Sequence, residues 1–458
     1  MARWCGFSFN VRGLPALLLA GACGAVGAVP VTGQCPAPVE VARVPGDEAV
    51  TPAPAELLAS LVREAVARSA DVRGAVHGSR AAQLDLQQTQ ASGQPNLALA
   101  GSLGLSQSRI ADTTQSEGRN ANLTLALSAP LYDSGRLDAL TRYQRHLADG
   151  SDLGLVATRE RVVRDALATS LERLRYLRQL RVYDLYVGQM QCLVGLLEQV
   201  VELDRGRGSE LVQARKALRQ AELSRGDMTA LLRQTEARLV RLVGAVELPE
   251  ALAVTLLRPV PPLDAVLGEI DDSPEVRQLA QQVAALDQYA RVVRAESGPQ
   301  VRWQVGATQA RQPHVTTAGW NAGLTLGLTL ADGGAAGFGT DAAVERAEVA
   351  RRQHEAAVEE RIRQAAQWHD AATSAQTRAA RVAELLRDSD QLREATYEQW
   401  ARMGRRSLFD LISAETDYYQ LRLAQVNAQH DAYAAVVQLR GLGAGVLPWL
   451  RQWVDRRP

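Results

Sequence analysis

Residues 332–339, Asp-Gly-Gly-Ala-Ala-Gly-Phe-Gly, lie where a strand-like run gives way to helix-like sequence. Glycine-rich loops that cradle phosphates occupy that setting. The spacing here fits neither common glycine fingerprint and no lysine follows. The preceding run also alternates, whereas a nucleotide-binding parallel strand is apolar on both faces. The segment is therefore read against nucleotide binding: Gly333 and Gly334 free the backbone to turn from strand into helix, and Asp332 can accept from the first unpaired amides. The six histidines, His77, His146, His314, His354, His369 and His430, have no metal-ligand spacing, and His369-Asp370 is a lone neighbour pair on a helix face. Serine, cysteine and histidine form no nucleophile arrangement. The chain is expected to need no cofactor and to be no enzyme.

The same kind of joint occurs earlier, in Ala129-Pro130-Leu131-Tyr132-Asp133-Ser134-Gly135. Pro130 is placed to end ladder pairing, Tyr132 suits an interfacial level, Asp133 can cap a helix and Gly135 eases the bend. The elements around both joints repeat. A gapless shift of 204 matches Ser69 with Ser273, Val72 with Val276, Arg73 with Arg277, Ala81 with Ala285, Ala91 with Ala295 and Pro95 with Pro299. Each copy reads as helix, strand, strand, long helix, Gly-x-x-Ser break and helix. Four strands are predicted at about 96–106, 120–131, 300–310 and 318–331, each with one apolar and one small or polar face, paired through polar loops at 107–119 and 311–317. Their length, about ten residues, suits a tilted strand crossing a bilayer. Four strands cannot close a barrel alone, so the chain must oligomerise, its open edges pairing with copies of itself. Proline-free runs at 134–203 and 337–403 read as helices of roughly 100 Å.

The 458 residues are 46% hydrophobic, and 51 Lys+Arg balance 51 Asp+Glu, which argues against a general nucleic-acid partner. Lys216 is the only lysine. Arg3, Arg12 and the short apolar stretch 13–22 read as a secretory signal, too short to span. Cys35 and Cys192 are too few for a disulfide framework. The expected organisation is a signal peptide (1–28), an N-terminal periplasmic segment (29–54), a first repeat (55–247), a linker (248–272), a second repeat (273–445) and a C-terminal tail (446–458).

This ordered set resembles the TolC-like outer-membrane factor family of export ducts over about 55–442. The resemblance implies a homotrimer in the outer membrane of a Gram-negative bacterium, its strands forming one twelve-stranded barrel in lipid and its helices a periplasmic tunnel. It also implies two partners: a periplasmic adaptor and an inner-membrane pump, either an ABC transporter or a proton-driven one. In such ducts acidic side chains ring a constriction at the far end of the tunnel. Residues 404–414 look like that turn, with Asp410 at the constriction position and Ser413 where some members carry a second aspartate. Arg406 falls where a polar link ties the closed entrance. Ser209 and Glu210 stand at the matching place in the first copy. A poor lipoprotein signal at 20–23 leans the reading toward type I secretion of toxin-like proteins. Small-molecule or multidrug efflux is the alternative, and a soluble coiled-coil interaction protein a remote one.

Overall fold

The structure is a computed structural model that describes residues 54–110, 113–244, 257, 259–312, 315–403 and 405–455. The expected signal peptide, nearly all of the N-terminal segment and the part of the linker at 248–256 and 258 lie outside the described residues. The elements run α1 (Pro54–Arg68), α2 (Ala70–Ala91), β1 (Asn96–Ile110), β2 (Thr113–Tyr132), α3 (Arg136–Leu203), a 3-10 turn (Arg205–Arg207), α4 (Gly208–Val243), α5 (Leu263–Leu267), α6 (Pro274–Glu296), β3 (Gln300–Gln312), β4 (Val315–Gly327), α7 (Ala335–Ala401), α8 (Leu408–Leu442) and α9 (Val446–Asp455). At a rise of ~1.5 Å per residue, α3 and α7 each extend roughly 100 Å.

All four strands form one antiparallel sheet in the order β1-β2-β3-β4. Leu97, Leu99, Leu103, Leu105, Leu324 and Leu326 stand exposed, so the apolar face covers no core of this chain. The first hairpin is longer than the expected strands: residues within 107–119, read as a loop, continue the ladder from Gln107↔Glu117 to Ile110↔Thr113. Backbone pairing does not require an apolar face, so a polar hairpin leaves no alternation to read. Pro130 does not end the ladder; it pairs with Arg302, and a bulge separates it from the Tyr132↔Val301 pair. It is tolerated because β1 begins only at Asn96↔Ser128, so β2 lacks a second neighbour there. β4 stops at Gly327, short of the expected 331, because its partner β3 begins at Gln300↔Gly327.

The helices continue the order of the strands. α2 packs on α3, α3 on α6 and α6 on α7, while α4 lies against α3 and α8 against α7. Close approach is possible because the buried residues of α7 are all alanine as far as Ala375: Ala343, Ala347, Ala350, Ala365, Ala372 and Ala375. Midway along, Leu61, Val163, Leu167, Leu171, Val243, Val436 and Trp449 share one apolar cluster, each large side chain contributing about 1.5–3 kcal/mol by burial. The expected tail folds as α9 and joins that cluster. Its start is capped from α3: Glu160, buried, accepts from the amides of Val446 at 2.8 Å and Leu447 at 3.2 Å. Burial nevertheless pushes the Glu160 carboxyl above its ordinary range. Gly445, at φ 111°, is required there because a Cβ would strike that carboxylate. Cys192 is disulfide-bonded.

His430 on α8 is 3% exposed, edge-on to Tyr433 at 5.7 Å, and neither ring nitrogen has a hydrogen-bond partner. Burial, then Arg178 and Arg175, push its pKa down to about 3. The folded state therefore holds this ring neutral, and its contribution, fully present above the ordinary value near 6.5, is lost as pH falls toward about 3. Thermal unfolding between those limits is expected to show the loss, at up to about 1.4 kcal/mol per pH unit. His430→Leu should flatten this part of the profile.

Candidate functional site

Two places convert strand into long helix, and the chain solves both the same way. At the first, Asp133 accepts from the amides of Gly135 at 3.2 Å and Leu137 at 2.6 Å. At the second, Asp332 accepts from Gly334 at 2.9 Å and Ala336 at 2.7 Å. Those amides hold the Asp332 carboxyl below its ordinary range. Each aspartate also meets the positive end of a helix dipole. Two consecutive left-handed residues make each bend: Ser134 (φ 57°) and Gly135 (φ 80°), then Gly333 (φ 68°) and Gly334 (φ 92°). Ser134 alone among the described residues adopts positive φ without being glycine. Its hydroxyl donates to the Pro299 carbonyl at 2.8 Å, tying the first joint to the start of β3. Gly298 permits this approach, since a Cβ there would collide with Ser134. Tyr132 is exposed at the end of β2, next to this joint.

The far end holds the two turns that resemble an entrance. Met190, Leu193, Leu197, Ala214, Trp400, Leu408, Leu411 and Ile412 form one apolar cluster, with Leu211 packed against it. This cluster brings the α3–α4 turn beside the α7–α8 turn. Leu211 and Leu411 each follow an acid, so anchoring them displays Glu210 and Asp410 at the same end. The breaks themselves differ. Ser407 caps α8: its Oγ accepts from the Asp410 amide and the Asp410 Oδ2 accepts from the Ser407 amide, both at 3.2 Å. Ser209 lies inside the first turn of α4 and is exposed; α4 has no side-chain cap, and Asp204 caps the preceding 3-10 turn instead, accepting from the Gly206 amide at 3.0 Å. Glu210 sits 3.4 Å from Arg207. Arg406, exposed, donates to Gln399 at 3.1 Å. Ser413 is exposed one turn beyond Asp410.

Behind this end lies a polar cluster that motif reading did not reach. Glu415, 1% exposed, lies 3.4 Å from Arg393 of α7 and accepts from Gln189 of α3 at 3.3 Å. Arg393 also pairs with Asp390 at 2.7 Å and lies over the Tyr418 ring at 4.8 Å. Burial pushes the Glu415 carboxyl up, against the pull of Arg393. Tyr186 and Thr416 join their hydroxyls at 3.0 Å across the same junction. The available signal was positional: Glu415 interrupts an apolar run of Leu411, Ile412, Ala414, Tyr418 and Tyr419 at helical spacing. Among the described residues, no group of three or more histidine, cysteine, aspartate or glutamate side chains is placed to hold a metal.

Two variant series test these geometries by thermal unfolding. Ser134→Ala should lose about 1 kcal/mol with the hydroxyl contact, whereas Ser134→Gly should be close to neutral because released strain offsets that loss. Glu415→Ala should cost about 3 kcal/mol, the low end for breaking a buried pair because Asp390 still partners Arg393, and Glu415→Leu with Arg393→Met should recover most of it.

No helix among the described residues is long and apolar enough to cross a membrane, so any spanning role falls to the sheet. The fold is similar to that of CusC, a structure concerned with transmembrane channel formation, at 17% identity over 85% of this chain and 92% of that chain, with a TM-score of 0.77. It is also similar to the outer membrane protein VceC of Vibrio cholerae (18%, 85% and 96%, 0.74) and to the CmeC outer membrane channel of Campylobacter jejuni (14%, 87% and 89%, 0.72). No curated protein matches the sequence. The sequence profile of the outer membrane efflux proteins matches residues 61–245 and 269–445. With both repeats matched over most of their length, the chain belongs to the outer membrane efflux protein family.

Proposed function

We propose that this chain is the outer-membrane duct of a tripartite exporter, conducting cargo passively across outer membrane and periplasm, and that the cargo is small molecules. Members of the family are passive channel-tunnels that form homotrimers and work with periplasmic adaptors and inner-membrane pumps. The observation that carries the reading is the sheet: four strands with leucines outward and no closure within the chain, each hairpin leading into a helix of roughly 100 Å. A soluble rod would account for the helices and leave that sheet without a purpose. The family description favours efflux. The lean toward protein secretion rested on residues 20–23, outside the described residues, and gains no support from the fold.

At the entrance, Asp410 is the acid proposed to ring the constriction, with Ser413 beside it, Arg406 as a latch, and Ser209 and Glu210 on the outer turn. Threefold repetition of one carboxylate in a narrow aqueous passage favours cations. Deleting the protein should raise drug sensitivity and leave secreted proteins unchanged; the reverse pattern would restore the secretion reading. In planar bilayers Asp410→Ala should lower the cation-to-anion permeability ratio severalfold or more. Unchanged selectivity would remove Asp410 from the pore.

A further inference from the structure

The leucine-bearing face of the sheet is not uniformly apolar. The four strands hold four arginines, Arg109, Arg119, Arg302 and Arg311, against one acid, Glu117. Arg119 pairs with Leu105, and Arg311 pairs with Ala121, which pairs in turn with Leu103. Alternation therefore sets Arg119 and Arg311 on the same face as the leucines. They stand on neighbouring strands along one diagonal, about 7–8 Å apart and within mutual reach of long side chains. Both lie toward the hairpin ends, away from the joints with α3 and α7, and hence at the outer leaflet of the proposed duct. Trp320, exposed on this face one diagonal from Gln309, stands at the interfacial level where aromatic girdles sit.

Beside these arginines the face is notched. Gly101, Leu103, Ala121, Leu123, Gln309 and Arg311 line a cavity of about 600 Å³ that spans β1, β2 and β3 of one chain. The notch exists because Gly101 and Ala121 stand where the next positions on the same face, Leu99, Leu103 and Leu123, carry leucine. Its β1 and β2 sides are apolar, and its β3 side ends in Gln309 and Arg311. Neither guanidinium, of Arg119 or of Arg311, has an ion pair or hydrogen bond among the described residues. Two cations side by side repel, and an anion set between them relieves both.

We propose that this notch binds a phosphorylated lipid of the outer leaflet, its phosphate between Arg119 and Arg311 and an acyl chain along Gly101, Leu103, Ala121 and Leu123. The proposal rests on the sheet spanning the membrane, as the duct reading holds. Its two halves contribute differently. Lipid tails are as apolar as leucine, so the notch cannot draw in an acyl chain by the hydrophobic effect and holds one by packing alone. The guanidiniums supply the selection, because their planar forks match phosphate oxygens with two charge-assisted hydrogen bonds each. A zwitterionic lipid brings its own cation to the phosphate and gains less from them. Inorganic phosphate has no chain to occupy the notch. Arginines that merely snorkel from a membrane rim require neither a partner on the next strand nor a notch beside them.

Lipid retention by the full chain, purified in detergent, tests the site. After incubation with diphosphoryl lipid A and washing, native mass spectrometry should find the lipid on the wild-type protein. Arg119→Gln with Arg311→Gln should cut its retention about tenfold. Gly101→Leu, which fills the notch and leaves both arginines in place, should cut it severalfold. That second variant is expected to fold, since a Cβ at Gly101 meets ordinary contacts, 3.7 Å from Leu123 and 3.9 Å from the Asn122 carbonyl. Wild-type retention in either variant overturns the proposal. So does equal retention of fully dephosphorylated lipid A, or displacement of the lipid by excess inorganic phosphate, which would mark a plain anion site. Conductance of the wild type in planar bilayers reports on the duct separately: without it the duct reading falls, while the comparison of variants still decides the lipid site.

Discussion

In hydrocarbon there is no water to satisfy an unpaired backbone group, and each one costs several kcal/mol. That constraint bears on this chain at two strand edges, and the rest of the architecture answers it. No described helix can cross a bilayer, the sheet carries leucine outward, and the strand order leaves β1 and β4 without second neighbours. Pairing with identical copies is the symmetric way to close such edges. The helix order α2, α3, α6, α7 follows the strand order, so the closure that satisfies the sheet in lipid also brings the helices beneath it into a ring in water.

The strand-to-helix joints make that continuity possible. A strand ends with its carbonyls and amides directed sideways, and a helix begins with free amides directed along its axis. One aspartate placed just before the helix serves both joints, and two left-handed residues swing the chain between the two directions. Glycine at both left-handed positions would be the least strained solution, and the second copy has it. The first copy places Ser134 in one of them and gains the tie to Pro299. The tie costs strain at a single residue and fixes how the first long helix leaves β2 relative to the start of β3.

What could be read from the sequence follows from where each signal is stored. Alternation at 97–105 and 320–330 is local, as are the aspartates that precede helix-like runs, and both were legible. The hairpin within 107–119 was missed because its pairing is held by backbone with polar residues on both faces. β4 ends at Gly327 and not at 331 because its partner β3 begins at Gln300, which no pattern within 318–331 records. α9 depends on Glu160, 286 residues before the amide it caps; no local pattern announces such a contact. Glu415 and His430 look like ordinary helix-face residues until packing buries them. Ser209 is placed with the gate by its matching position in the first copy, and the cap of Asp204 on the 3-10 turn before α4 has no counterpart in the second copy that the motif would announce.

The entrance combines two kinds of contact with different consequences for motion. Around Leu211, Trp400, Leu408 and Leu411 the turns are held together by apolar packing, which is non-directional. Further along α8, Thr416 and Glu415 are held to α3 by directional contacts with Tyr186 and Gln189. A displacement of the α7–α8 turn can preserve much of the first kind while the second resists it. The mutual cap between Ser407 and Asp410 belongs to the turn itself, so it can travel with the turn without breaking. If Asp410 rings the entrance as proposed, motion there would be confined to the last turns of α8 on the Asp410 side of Glu415, held by the apolar cluster and released from the directional contacts.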